Sequence, residues 1–505
     1  MMFVNTALAV ALAGMANSLP ASDPASPPAA APIPPGTPPI VPLSLDSEIV
    51  TALEVLGKSP SDLRLPGSRP APGKPAGTDL LPGIENIVVV MFENHAYDHM
   101  WGMLDRPDAD GLPIDPVTGK PTAVNAFENG TLLHSYPMSM TCQRTTGTNS
   151  PTQNWGSTHV QMNNGSNDGF VIGNGNLTNG NKTIAMSYVL PEQLPYLHAI
   201  GRTFPICDRW FCSVPGQTWA NRMYLIAGTS LGITSTDQDL NGTLVPESHS
   251  YFTTLNDFNI TWRNYVPGFG KPDAKSTLDR FPADNATAHA HGADRDQFFS
   301  DAAAGKLPQY SLIDTNGTLD SQEAPQNMVV GDALLFSIVQ ALGASPQWNK
   351  SMLIVTWDEH GGYYDHVPPP VALAPDMVEP IPPPFFFQYD GFKRYGFRVP
   401  AVVVSPYSKK NHVVHHVHDH ASVLALLQRK WNLPSRTWRD ANANDMIDFL
   451  DLEALALGRP NFPDISALNL GLPGNTTEAL ACSDETNPLV PPPEAYQEPS
   501  IVFPN

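Results

Sequence analysis

Cysteine is scarce: Cys142, Cys207, Cys212 and Cys482 are the only four in 505 residues. Four thiols do not make a disulfide-dense scaffold, and the Cys207/Cys212 spacing, with no CxxC pair beside it, argues against structural zinc. Disulfides are the expectation, with three pairings open if all four are oxidised. Charge is scarce too, at 15% of residues, and basic side chains most of all: Lys plus Arg is 28 against 49 Asp plus Glu, a net charge of -21. Such a surface repels nucleic acid and gives no reason for adsorption to anionic membranes. It does not exclude anionic substrates held through a bound cation. No internal repeat occurs, no segment beyond the N-terminus is long and apolar enough to span a bilayer, and nothing fixes an oligomeric state.

What the chain has in quantity is proline, 53 residues of it, which makes many segments rigid and irregular rather than helical. The opening MMFVNTALAVALAGMANSLPAS carries an apolar run over residues 6–15 and then small residues. The run is short for a membrane span and is placed like a secretory h-region, so residues 1–18 are expected to be a signal peptide, although no Lys or Arg precedes the run. Ten N-x-Ser/Thr sequons, at Asn129, Asn164, Asn176, Asn181, Asn241, Asn259, Asn285, Asn316, Asn349 and Asn475, fit a secreted glycoprotein. Residues 19–83, with PASPPAAAPIPPGTPPIVP, predict a semi-rigid Pro-rich linker interrupted by one short helix near 47–56. The ordered domain is then expected over 84–450, with a Pro-rich tail over 451–505.

The stretch SMLIVTWDEHGGYYDHVPPP, residues 351–370, organises the rest. Residues 352–357 are apolar and β-branched, as in a buried strand; Asp358, Glu359, His360 and two glycines follow. That pattern reads either as a solvated acidic turn or as a metal or catalytic corner. IENIVVVMFEN repeats the design, with a strand over 87–92 that is apolar on both faces and ends in Glu93 and Asn94. Ligands in open α/β sheets bind beyond the carboxyl ends of strands, where all four oxygen-bearing side chains would lie.

A third stretch, FPICDRWFCSVPGQTWANRMYLIAGTS, holds Thr218 at a loop-to-helix junction. Thr218 is either an N-cap or a nucleophilic hydroxyl where helix N–H groups favour an incoming phosphate; Arg222, one turn on, would add charge to a phosphate oxygen. His159 lies among small polar residues, a setting open to a structural or a functional role. Helical patterns follow over 327–343 and 422–431, the latter just after Asp419 and His420, and strands are predicted at GKLPQYSLID and over 398–405.

Together these stretches resemble the phosphoesterase family of bacterial phospholipases C, plant non-specific phospholipases C and related acid phosphatases. The matching segments are VVVMFENHAYDHMWG, NNGSNDGF, PICDRWFCSVPGQTWANR, GKLPQY, SPQWNKSMLIVTWDEHGGYYDHVPPP, RVPAVVVSPY and DHASVLALLQRKWNLPSRTWRDANA, in family order. The resemblance implies a three-layer α/β/α sandwich like that of the alkaline phosphatase superfamily. It implies a divalent cation, Ca, Mg, Mn or Zn, held by Glu93, Asn94, Asp358 and Glu359. It makes Thr218 the nucleophile, His159 and Asp419 further catalytic residues, and Asn221 and Arg222 substrate-binding. A cation there would lower the pKa of the threonine hydroxyl and offset phosphate charge. The implied reaction is in-line attack on phosphorus, a phosphothreonine intermediate and its hydrolysis, with His159 steadying the transferred group or protonating the leaving oxygen.

The sequence departs from the pattern in three places. His95-Ala96 stand for the usual Arg-Ser, Ala220 for a common proline, and Glu323-Ala324 for a His-Pro pair eight residues before Gly331. Glu323 cannot bind phosphate as a histidine would, and His289 or His291 becomes the candidate replacement. The expected function is a secreted, metal-dependent phospholipase C-like hydrolase acting on a phosphate ester or phospholipid. Two alternatives are an acid phosphatase acting on monoesters and a non-catalytic binding protein on the same fold. A sulfatase-type hydrolase ranks a distant third, because no Cys-x-Pro-x-Arg motif occurs.

Overall fold

The two apolar runs form neighbouring parallel strands at the centre of an eight-stranded mixed sheet. In this computed structural model, residues 46–138, 141, 151–174, 182–238, 248–272, 274–324, 326–381 and 391–474 are described. The strands are β1 (Asn86–Phe92), β2 (Ile206–Cys207), β3 (Trp262–Val266), β4 (Gly292–Asp294), β5 (Tyr310–Ile313), β6 (Ser351–Trp357), β7 (Ala401–Val404) and β8 (Val413–Val414). Their order across the sheet is β8-β2-β7-β6-β1-β5-β3-β4. The block β6-β1-β5-β3-β4 is parallel, while β7 runs antiparallel to both β6 and β2. Every residue of β1 and β6 is buried, as strands covered on both faces require.

Helices cover both faces. The ones that matter here are α1 (Ser47–Val55), α2 (Trp155–Met162), α3 (Thr218–Ala227), α4 (Asn285–His291), α5 (Asp296–Ala303), α6 (Met328–Gly343) and α7 (Ala421–Trp431). Strand side chains alternate between faces, so Trp262 and Tyr265 point to opposite sides of the sheet. Trp262 meets Phe252, on the side where Leu225 of α3 and Leu424 of α7 also pack against Tyr310; Tyr265 meets Phe298 of α5 at 5.5 Å. The result is the expected three-layer α/β/α arrangement.

The domain is larger at both ends than the sequence suggests. Residues 1–45 lie outside the described residues, but 46–83 are no free linker. After α1 the chain straps itself along α7: Leu80 N–H donates to the Lys430 carbonyl at 2.7 Å, and the Asn432 amide donates to the carbonyls of Ala71, Lys74 and Pro75. Proline lacks an N–H but keeps its carbonyl, so a Pro-rich segment can still be tied down as an acceptor. Beyond 450, Leu455, Phe462 and Ile465 are buried in the main core. Within the FPICDRWFCSV stretch only Ile206–Cys207 form a strand. Cys207 and Cys212 are free, buried thiols, not a disulfide; Cys142 and Cys482 fall outside the described residues. No helix among the described residues is long and apolar enough to cross a membrane.

Candidate active site

Parallel register brings the two acidic corners together. Phe92 pairs with Trp357, so the residues that follow, Glu93-Asn94 and Asp358-Glu359, leave the sheet side by side. Each corner turns at once. Asn94 takes a left-handed φ of 69°, and Gly361 sits at φ +66° where a Cβ would lie 1.9 Å from the Asn94 carbonyl oxygen. The turns are locked from inside: Asp358 Oδ1 accepts the N–H of Asn94 at 3.1 Å and of Glu359 at 2.7 Å, and Glu359 Oε2 accepts the N–H of Gly361 at 2.7 Å. The acidic stretch at 358–360 is therefore fully buried, not a solvated turn.

A third strand end joins them. Asp314 follows β5, whose Ile313 is level with Val90, and it lies 3.9 Å from Arg222. Arg222 of α3 reaches into this group, donating from Nε to Asp358 Oδ2 at 3.2 Å and from a terminal nitrogen to Glu93 Oε1 at 3.2 Å and to the Met91 carbonyl at 3.0 Å. Burial alone would weaken its hold on the proton, but Asp358, Glu93 and Asp314 more than offset this and keep it protonated. Arg222 is thus a clamp on the carboxylates, fully committed to the protein, and not the phosphate-facing charge expected of it.

Glu323, the departure in the sequence, completes the cluster. Burial and then the neighbouring Glu93, to which it hydrogen-bonds, push its carboxyl up to about 9. Burial also drives Asp358 and Glu359 well above the usual carboxylate range. Five carboxyl groups thus gather around one arginine, which itself reaches Glu93, Asp314 and Asp358. Both side-chain atoms of Asn94, and Glu359 Oε1, are buried with no partner among the described residues. Unmet oxygen donors and surplus negative charge fit a hard divalent cation, for which Glu93, Asn94, Asp358 and Glu359 supply suitable ligands.

Thr218 opens α3. It is the first helical residue; the cap position belongs to Gln217, which makes no side-chain capping bond. The Asn221 side chain fixes the preceding loop: Oδ1 accepts the Val214 N–H at 3.1 Å and Nδ2 donates to the carbonyls of Val214 and Gly216. Asn221 therefore positions the loop and has no bond to spare for substrate. The Thr218 side chain lines a cavity of about 750 Å³ shared with Glu93 and Glu323, and its hydroxyl has no hydrogen-bond partner among the described residues. The first N–H groups of α3 lack helical partners by construction.

Asp419 sits behind this group. Its Oδ2 accepts from Ser213 Oγ at 3.0 Å and from Arg439 at 3.1 Å, while the neighbouring His420 donates from Nε2 to the Asp358 carbonyl at 2.7 Å. Trp210 Nε1 donates to His420 Nδ1 at 3.3 Å, which fixes that tautomer. Asp419 acts as a brace, buried away from the cavity.

Two expected residues are not brought to the cavity. His159, on α2, donates from Nδ1 to the Trp155 carbonyl at 2.7 Å and opens onto a second cavity of about 420 Å³ with Asn163 and Asp168. His291 ends α4 and stacks on Trp262, ring centroids 4.2 Å apart. Trp262 is level with Tyr310 and Ile87, five residues before Phe92, so His291 lies about 16 Å down the sheet at the opposite strand ends. It cannot replace a histidine at position 323.

The Asp314 corner went unnoticed in the sequence, although SLIDT repeats the strand-then-acid pattern of the other two. Nor does the sequence show Glu323 as a member of the cluster, because nothing local says where its loop folds.

A helix-borne hydroxyl open to a cavity, beside converging strand-end carboxylates, is the apparatus of a hydrolase acting on phosphoric esters, and the relatives carry the same activity in their names. The chain is 31% identical over 387 residues to non-specific phospholipase C1 of Arabidopsis thaliana, covering 71% of this chain and 69% of that one. It is 27% identical over 438 residues to phospholipase C B of Mycobacterium tuberculosis, covering 77% and 80%. The model of the phosphoesterase family matches residues 84–434, and the chain belongs to that family. Among solved structures, a protein in the alkaline phosphatase superfamily from Vibrio parahaemolyticus aligns with a TM-score of 0.37 and 10% identity over 80% of this chain and 79% of that one.

Proposed function

We propose that the chain is a secreted, cation-dependent phospholipase C-type enzyme that uses Thr218 as nucleophile. The observation that carries this is the Thr218 hydroxyl, unpartnered among the described residues, in one cavity wall with Glu93 and Glu323. Relatives named phospholipases C support the phospholipid substrate. A divalent cation held by Glu93, Asn94, Asp358 and Glu359 would lower the hydroxyl pKa and neutralise phosphate charge.

The chain's own groups do the rest. The free N–H groups at the start of α3 orient the phosphate oxygens, and Asn221 holds the loop so that Thr218 stands at the cavity wall. Arg222 keeps Glu93 and Asp358 in register. Thr218 Oγ bonds to phosphorus as the bond to the diacylglycerol oxygen breaks, and that oxygen takes a proton as it leaves. Water then displaces threonine and frees the phosphorylated head group. Secretion is supported by the six sequons among the described residues: Asn129, Asn164, Asn259, Asn285 and Asn349 are exposed, Asn316 is half-buried, and none of these six is in the core.

The test is hydrolysis of p-nitrophenylphosphorylcholine and p-nitrophenyl phosphate from pH 5 to 8, with and without chelator. Release should be chelator-sensitive and fall at least roughly a thousandfold in Thr218→Ala, with partial return in Thr218→Ser. Release from the monoester alone would make the protein a phosphatase. Equal background in wild type and variant would end the catalytic proposal.

A further inference from the structure

The cavity at Thr218 has two ends of opposite character. Glu93 and Thr218 lie at its buried end, whereas the exposed end carries Lys271 and Lys275 on the loop that follows β3. That loop leaves a strand parallel to β1, through β5, so it emerges on the same side of the sheet as Glu93. Two lysines on one wall are notable in a chain with 28 basic residues against 49 acidic ones. Neither forms an ion pair with a described residue, although the exposed carboxylate of Asp237 shares the wall. Ammonium groups with no ion pair among the described residues, at a cavity mouth, are suited to a phosphate or other compact anion.

The same wall is ill-suited to a choline group. Quaternary ammonium ions are held by open aromatic faces. Trp219 is the one aromatic side chain of that wall among the described residues, and the Arg280 guanidinium already lies over its ring, 4.4 Å from the centroid. A cation already occupies one face of the only ring that this wall offers among the described residues.

We infer that the site selects phosphate esters whose head group carries a second anionic group, held by Lys271 and Lys275 while Thr218 faces the scissile phosphorus. This rests on the reaction proposed above and goes further by assigning the head-group class. The anion comes either from a lipid, as in a phosphorylated phosphatidylinositol, or from its soluble deacylated head group; the contacts at the lysines are the same.

Two matched pairs test it: phosphatidylinositol 4-phosphate against phosphatidylcholine in neutral detergent micelles, and glycerophosphoinositol 4-phosphate against glycerophosphocholine in solution. The anionic member of each pair should have the higher kcat/KM. In Lys271→Gln/Lys275→Gln that preference should fall roughly fivefold to tenfold, mainly through KM, and added salt should erode it in the wild type. Preference in the lipid pair only assigns the anion to a membrane-borne substrate, and preference in both to the head group itself. Equal rates within both pairs, or a preference indifferent to the lysines, overturns the inference. Binding of inositol 1,4-bisphosphate to Thr218→Ala, measured by calorimetry with and without the lysine substitutions, reads the same contacts without catalysis. Loss of affinity with the lysines supports the inference even if no ester is cleaved, and unchanged affinity rejects it even if the hydrolysis holds.

Discussion

Two buried ionic clusters lie in this fold, and they are built on opposite terms. In the first, Asp98, Asp365 and Asp110 are matched by Arg398, His366 and Arg209. Arg398 spans Asp365 and Asp98 at 2.9 Å each, His366 links Asp98 at 2.7 Å to Asp110 at 3.2 Å, and Arg209 caps Asp110 at 2.7 Å. Burial alone would strip the His366 proton, but the two aspartates overcome it and raise the imidazole to about 10, so the charges cancel. Asp98, Asp365 and His366 offer ligand atoms within 4.8 Å of one another, the spacing of a metal site, yet they are already satisfied by arginine. In the second cluster, Glu93, Asp314 and Asp358 share Arg222, Glu323 and Glu359 have no arginine or lysine partner among the described residues, and Asn94 and Glu359 keep atoms with no partner there. Proximity of ligands does not distinguish a site from a scaffold. Surplus charge and unmet donors do.

Four experiments sharpen that contrast. Arg398→Met, which leaves Asp365 with no ion-pair partner among the described residues and Asp98 with His366 alone, should cost about 3–5 kcal/mol in chemical denaturation. A denaturation midpoint equal to wild type would show that the balanced cluster is not the scaffold described. Neutralising one carboxylate in each cluster should then act with opposite sign. Asp365→Asn should destabilise by about 3 kcal/mol, whereas Glu359→Gln should stabilise the cation-free protein by about 1 kcal/mol while weakening Mn or Ca binding, followed by calorimetry, at least roughly tenfold. If both lower stability alike, the second cluster is not frustrated.

The third is a pH profile. His366 is raised in the folded state, so its contribution is full below the ordinary histidine value of 6.5 and is lost as pH climbs toward about 10. Tm should decline by a few degrees from pH 7 to 10, and His366→Gln should flatten that decline. A profile with the same slope in the variant would remove His366 from the balance. The smallest effect should come from the exposed pair Lys393–Glu48, 2.6 Å apart: Lys393→Ala should shift stability by less than about 0.5 kcal/mol. A loss comparable to Arg398→Met would mean that burial is not what separates these pairs.

Much of the site was written locally. Strands that end in adjacent oxygen-bearing side chains at Glu93-Asn94 and Asp358-Glu359 can be read as corners because a fully apolar run must stop where it meets an acid. Thr218 could be placed at a helix start because Pro215-Gly216 ends one element and apolar spacing begins another. Roles that depend on what lies across the fold could not be read in this way. Arg222 looks in sequence like a phosphate ligand one turn after the nucleophile; only the packing of α3 over three strand ends turns it toward carboxylates. Glu323 looked like a lost histidine and is a gained carboxylate. His291 was expected near phosphate because it sits in a His-rich run, but chain direction puts α4 at the wrong end of the sheet. The strap over 46–83 escaped notice because proline content says that a segment is stiff, not whether something accepts it.

That strap bears on the order in which the protein can be made. Ala71 and Asn432 exchange hydrogen bonds across 361 positions of chain, and Lys430 holds the Leu81 carbonyl across 349. Contacts so distant in sequence form last, because the whole intervening chain must be gathered before they repay its loss of freedom. The earliest part of the ordered polypeptide to leave the ribosome therefore waits for nearly the latest. Until α7 arrives, the nascent protein holds a stiff, unseated N-terminal arm, and its docking marks the point at which synthesis has delivered a finished enzyme.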